Sequence, residues 1–301
     1  MALARVPARR VTLERARARS REVSSTSSAR VTPRAMSASA RATALLYAEA
    51  GGTYVFRHEG ARVERVDARD DGTYGVVLSS TIAYPAGGGQ PSDSGRVEDA
   101  RGNAWAFDAA KLDRERGEAT HVGATKPPFD VGETCAVTID KEKRMLHARI
   151  HSAGHALDVA MIRVGLPPTA LEPTKGVHEP ENAYVEYKGK VDPEHELADS
   201  NALMARLNAE MATLIAEDGA SAAAEMTYDE AKAACGGAMP SFIAPDMTPR
   251  IVTIVPDSPG CPCGGTHVAK MSEIGDFKMT GVRVKKGVTR LSYAIPGMAT
   301  W

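Results

Sequence analysis

The chain has 301 residues, 43% hydrophobic and 25% charged, the balance of an ordinary globular protein with material for about two domains. Four cysteines exclude a disulfide scaffold and fit a reducing compartment, and no run reaches the ~18 apolar residues of a membrane-spanning helix. The net charge of −1 is uneven: residues 1–43 carry +8, which leaves −9 on the rest.

Residues 1–43 hold ten Arg, no Lys and two acids, Glu14 and Glu22, with seven Ser and four Thr. This Arg-rich, Ser-rich, acid-poor composition is that of a mitochondrial or plastid transit peptide. A secretory signal is set aside because no apolar core of ~7–15 residues exists. The competing reading is a basic tail that touches RNA directly. A start at Met36 would give a cytoplasmic form.

From 44 to 140 the chain reads as strand and turn. Thr53–Phe56, Tyr74–Ile82, Trp105–Phe107 and Thr134–Ile139 are β-prone runs separated by Gly, Asp and Asn clusters. The charged run Asp140–Arg144 marks a boundary near 140. A helix follows, with Leu146, Ile150, Ala153, Leu157, Met161 and Val164 at three- and four-residue steps until Gly165. Residues 194–217 carry a second helical stripe of Leu197, Met204, Leu207, Met211 and Leu214. Thr227 and Glu230 form a capping-box pattern that opens a short helix to about Cys235. Strands are expected at 183–188, 250–255, 276–284 and 289–295, with Lys286-Gly287 as the last turn. The second half is thus α+β, with helices on a largely antiparallel sheet.

Two segments carry metal chemistry. On the first helix, His151 and His155 are four apart, and such neighbours project from one face about 6 Å apart. Both sit well away from the apolar stripe and are expected to point into a cleft. His147 stands four before His151, so the helix alone leaves the register open. In the second segment, Cys263 and His267 are spaced C-x-x-x-H across Gly264 and Gly265, whose backbone freedom lets thiolate and imidazole converge. Three imidazoles and a thiolate are a natural donor set for Zn²⁺. Cys261 is a rival ligand, and Cys135 and Cys235 read as packing residues.

Together with the Gly-rich run Tyr84-Pro85-Ala86-Gly87-Gly88-Gly89-Gln90-Pro91-Ser92-Asp93-Ser94-Gly95, the runs His151-Ser152-Ala153-Gly154-His155 and Cys263-Gly264-Gly265-Thr266-His267 resemble a known family. They look like the alanyl-tRNA editing proteins of the AlaX type, free-standing relatives of the editing domain in alanyl-tRNA synthetase. The threonyl enzyme's editing domain is similar in the metal motif. The resemblance covers residues 44–301 and suits the medium-length type, without the ATP-dependent aminoacylation domain. It implies an α+β fold: a small Gly-rich β-barrel-like domain over 44–140, then an α/β zinc-binding editing domain over 141–301. It implies one Zn²⁺ held by His151, His155, Cys263 and His267, which selects the second of the two histidine registers. Gln90, with Gly88 and Gly89, matches the motif that lines the editing pocket, and Lys175-Gly176-Val177-His178 resembles a pocket wall.

The implied activity is hydrolysis of the ester joining a wrong amino acid, chiefly serine and secondarily glycine, to tRNA(Ala). No membrane and no obligate protein partner is expected. A synthetic site rejects a substrate that merely adds a hydroxyl only weakly, so a second hydrolytic site is the physical solution. Gln90, Thr81 or Thr266 can read that hydroxyl. Four protein ligands describe a closed metal site, whereas catalytic zinc keeps a position open. Zinc therefore expands its shell, loses a ligand or only organises the pocket. Phosphate contacts are expected from Arg283, Lys285, Lys286 and Arg290, extended by Arg144, Arg149, and Lys175 with His178. The other readings are a non-catalytic zinc-dependent tRNA-binding module and a zinc hydrolase of other aminoacyl esters.

Overall fold

The computed structural model describes residues 42–237 and 239–301. The expected leader lies outside them except for its last two residues. Thr43 already belongs to the fold: it is buried, and its hydroxyl donates to Leu78 O at 2.9 Å.

The regular structure of the first half is almost all strand. In chain order it holds β1 (Ala44–Leu45), β2 (Arg57–Ala68), β3 (Tyr74–Leu78), β4 (Ser80–Thr81), β5 (Gly95–Asp99), β6 (Ala104–Phe107), β7 (Ala109–Asp113), β8 (Glu118–Gly123) and β9 (Thr134–Ile139). Seven of these form one antiparallel sheet in the order β6-β5-β9-β2-β3-β8-β7, while β1 and β4 make a short parallel pair. β2 is shared along its length: Arg57–Arg62 pair with β9, and Val63–Ala68 pair with β3, with an irregularity in each ladder. Such irregularities sharpen bend and twist. Ala61, Val63, Val76, Leu78, Val97, Trp105, Phe107 and Val137 pack as the core of this half.

The expected strand at Thr53–Phe56 is not one. Gly52–Tyr54 is a single 3₁₀ turn, and β2 starts only at Arg57. Thr53 is buried and its carbonyl accepts from Arg144, so this segment serves as a strap over the next helix rather than as a ladder partner.

The second half holds α1 (Lys141–Arg163), β10 (Glu172–Glu179), β11 (Asn182–Lys188), α2 (Ser200–Glu217), β12 (Ala222–Glu225), α3 (Tyr228–Ala234), β13 (Arg250–Thr253), β14 (Cys261–Pro262), β15 (Lys278–Lys285) and β16 (Val288–Ala294). Four strands pair antiparallel in the order β10-β11-β16-β15, and a smaller sheet runs β12-β13-β14. The fold is α+β, mostly antiparallel. Asp140 caps α1 by accepting from Lys143 N at 3.0 Å, so the charged boundary run becomes the first turn of the helix. α2 begins at Ser200 rather than 194, because Asp199 caps it from Asn201 N and Ala202 N. Leu197 is still buried, from the preceding loop. β10 was not expected, since Glu172–Glu179 shows no apolar alternation.

α1 is buried on nearly every side, and this overturns one reading of its pattern. His147 and His151 are as buried as Ile150 and Leu157. Ala148, Ala153, Gly154, Ala156 and Ala160 keep the helix slim, so neighbours approach from all round. A β-carbon on Gly154 would overlap the His178 ring, and only glycine leaves that space. The helix is thus a central post with two packed faces, not an amphipathic helix with one.

The two halves are joined by a buried ion pair. Asp93, from the Gly-rich segment, pairs with Arg144 on α1. Arg144 also donates to the carbonyls of Gly52, Thr53 and Ile82, and Asp93 Oδ2 accepts from Tyr84 N at 2.7 Å. The guanidinium is fully enclosed, so the expectation that Arg144 extends a phosphate-binding surface fails. Arg149 likewise turns inward, donating to Glu273 O and Ile274 O at 2.9 and 2.8 Å.

Candidate metal centre

α1 presents His151 and His155, and the loop after β14 presents Cys263 and His267. One donor atom from each of the four lies within 4.8 Å of every other. Cys263 Sγ is 3.5 Å from His151 Nε2 and 3.3 Å from His267 Nε2. The edges of a tetrahedron with metal arms of ~2.0–2.3 Å are about 3.3–3.6 Å, so these two spacings suit donors to one shared ion. Cys261 and His147 are not in this group. The loop fits because residue 265 is glycine: a β-carbon there would collide with the His151 ring.

Hydrogen bonds decide which ring nitrogens face the cluster. Thr266 N donates to Gln90 Oε1 at 3.1 Å, and Gln90 Nε2 donates to Thr266 Oγ1 at 2.9 Å. A backbone N–H can only donate, so the amide orientation is fixed. Gln90 Oε1 also lies 2.7 Å from His151 Nδ1, which must then carry the proton and leave the Nε2 lone pair free. Ser152 Oγ accepts from Val268 N at 3.0 Å and lies 3.3 Å from His267 Nδ1, turning that ring's Nε2 toward Cys263. Fixing the far nitrogen in this way is how metal-binding imidazoles are held in register.

Burial sets the protonation states. It drives His151 and His267 well below the usual histidine range, with the neighbouring imidazoles adding to the effect. Burial alone lowers His155 to about 4. All three rings are therefore neutral near pH 7, the form that ligates metal. Burial raises the Cys263 thiol, while Gly265 N–H and the Arg250 guanidinium pull it back toward thiolate. Arg250 is within reach because it clamps the loop, donating to Cys263 O at 2.8 Å and Gly265 O at 3.1 Å.

The remaining expected site residues fall into three groups. Gln90 and Thr266 are enclosed and tied to each other. Gly89 O accepts from His178 N at 2.8 Å, while Gly88 sits at the exposed tip of the turn. His178 is a buried neighbour of the cluster rather than a surface cation: its ring stacks on His151 with centroids 4.5 Å apart, and Nδ1 is 2.8 Å from Tyr293 Oη. Thr81 is elsewhere, bonded to His121 Nε2 and Ala83 N within the first half. Arg283, Lys285 and Lys286 are exposed, as is Lys175, whose Nζ lies 5.9 Å from the Tyr184 ring centroid. Arg290 stacks on the same ring at 3.8 Å and pairs with Glu186 at 2.7 Å.

Sequence reasoning missed Ser152, Arg250 and Tyr293. Ser152 sits inside the histidine motif, where a hydroxyl beside a ligand was the available signal. Arg250 and Tyr293 reach the site only through strand pairing, and nothing local marks them.

Residues 250–292 match the family described as the threonyl and alanyl tRNA synthetase second additional domain. The alanine–tRNA ligase of Bordetella pertussis is 32% identical over 250 residues, covering 79% of this chain and 26% of that protein. That of Chromohalobacter salexigens is 29% identical over 254 residues, covering 81% and 27%. That of Halobacterium salinarum is 31% identical over 235 residues, covering 77% and 24%. The chain spans about a quarter of the length of these curated relatives. These similarities support an AlaX-like protein carrying an alanyl-tRNA editing domain.

Proposed function

We propose that this protein hydrolyses mischarged aminoacyl-tRNA in trans, releasing serine, and secondarily glycine, from tRNA(Ala). The observation that carries the reading is the convergence of His151, His155, Cys263 and His267 with Gln90 fixing the outer nitrogen of His151. The similarity to alanine–tRNA ligases supplies the tRNA. Three imidazoles and one thiolate suit Zn²⁺. Bound zinc supplies Lewis acidity toward water or an ester carbonyl.

The chain's own residues do the positioning. Gln90 and Thr266 act through His151 and the loop, holding ring and backbone rather than presenting free polar atoms to substrate. Cys263 and His155 are the partly accessible members of the cluster, so an ester would approach from their side. Arg283, Lys285 and Lys286 form the exposed cationic edge suited to phosphates, with Lys175 beside Tyr184 on the same sheet. Residues 44–140 and 141–301 serve as a β-rich domain and an editing domain with the site at their seam. The leader addresses the protein to a plastid or mitochondrion.

The test is incubation of the full-length, zinc-loaded protein with Ser-, Gly- and Ala-tRNA(Ala). Serine should be released fastest and alanine spared. Intact Ser-tRNA(Ala) would sink the proposal. Binding without release would identify a non-catalytic tRNA-binding module instead.

A further inference from the structure

Asp158 lies on α1 three residues beyond His155 and seven beyond His151. Seven residues bring the helix to within about 20° of the starting face, and three residues advance it by ~4.5 Å. Asp158 thus shares the face of the two histidines, one step further along. His155 and Asp158 are the two partly accessible positions between His151 and Met161. Across from them, Cys261, Pro262 and Cys263 are partly accessible and Gly264 is exposed.

This carboxylate lacks a counter-charge. Tyr187 Oη donates to Oδ1 at 2.6 Å, and no cation bears on the group among the described residues. Oδ2 makes no hydrogen bond among the described residues, and the side chain is partly accessible. Burial pushes the carboxyl up to about 6, with the Tyr187 hydroxyl holding it back. Near neutral pH it is therefore an aspartate that a bound cation would stabilise. An aminoacyl ester carries such a cation: its α-ammonium sits one carbon from the ester carbonyl.

We propose that Asp158 is the counter-charge for the free α-ammonium of the aminoacyl group, a specificity residue that makes the site require an unblocked amino acid. This rests on the aminoacyl-ester reading of the site. It predicts that N-acylated aminoacyl groups are rejected, because they lack the charge and bring bulk to the carboxylate.

The test is calorimetric binding of 3′-deoxy-3′-(L-serylamino)adenosine, a stable amide, and of its N-acetyl derivative to the full chain at pH 7.5. The free amine should bind about tenfold tighter or better, the scale of one close charge pair. Asp158→Asn keeps an acceptor for Tyr187 but loses the charge, so the preference should vanish while metal content is unchanged. Asp158→Ser is a second charge-removing variant should the first be unstable. Tyr187→Phe should keep the preference. Equal binding of the two ligands by the unmodified protein, binding of neither, or a preference surviving in Asp158→Asn would overturn the assignment. A preference for the free amine without serine release from Ser-tRNA(Ala) would leave Asp158 standing and defeat the deacylase reading. Serine release without the preference would do the reverse.

Discussion

Gln90 Oε1 takes the proton side of His151 Nδ1 at 2.7 Å, so a residue of the Gly-rich segment sets the tautomer of an imidazole on α1. Removing this bond frees the ring to rotate and to carry its proton on either nitrogen. Gln90→Ala should therefore weaken zinc binding by about 10- to 100-fold, the usual effect of losing such a partner. Competition against a chromophoric chelator measures it. Unchanged affinity would show that the ring is held by packing alone.

The cluster contains Cys263 and excludes Cys261. Cys263→Ala should lose stoichiometric zinc, whereas Cys261→Ala should retain it. Elemental analysis of the purified variants separates the two, and full retention in Cys263→Ala would transfer the ligand role to another group.

Arg144 and Asp93 form an enclosed pair with hydrogen bonds on both sides. Deleting one partner strands the other charge away from water. Arg144→Met should cost about 3–5 kcal/mol in urea unfolding. A loss below about 1 kcal/mol would place this pair with exposed salt bridges in its energetics.

His121 gives a pH dependence independent of the metal centre. Its Nδ1 donates to Val76 O at 3.1 Å and its Nε2 faces Thr81 Oγ1 at 2.8 Å, so the neutral ring is satisfied. Burial lowers its pKa from 6.5 to about 4, against a small opposing effect of the Val76 carbonyl. As pH falls, the unfolded chain binds the proton first. Stability is complete above pH 6.5 and is lost progressively toward pH 4, by on the order of 3 kcal/mol from this group. The difference between the unmodified protein and His121→Gln in denaturation midpoints across that range isolates it. Parallel pH profiles would refute it.

Arg283→Glu with Lys285→Glu should weaken tRNA binding and flatten its salt dependence, by about one logarithmic unit of slope for each phosphate no longer neutralised. Filter binding at several salt concentrations reads both. Identical slopes would move the RNA-binding surface elsewhere.

The features legible in the sequence are those whose partners are close in the chain. His151 and His155 share a helical face because they are four apart. Cys263 and His267 meet because the chain turns between them. Thr227 caps α3 because Glu230 is three residues on, and both bonds of the capping box form. Hydrophobic spacing located α1 and the closing hairpin for the same reason.

What packs against a face is another matter. The pattern of α1 marks one apolar stripe, yet its polar side is covered as well, by Gln90, His178 and the loop at 263–268. Gln90 and Thr266 are 176 residues apart and share two hydrogen bonds. Arg144 looked like a surface cation until Asp93 and three carbonyls enclosed it. By itself, the sequence determined which donor types exist and which local turns present them, since backbone geometry over a few residues is dictated locally. Only the tertiary structure decided which donors meet, which ring nitrogen faces inward and which charges lose water, because those depend on close packing between distant segments.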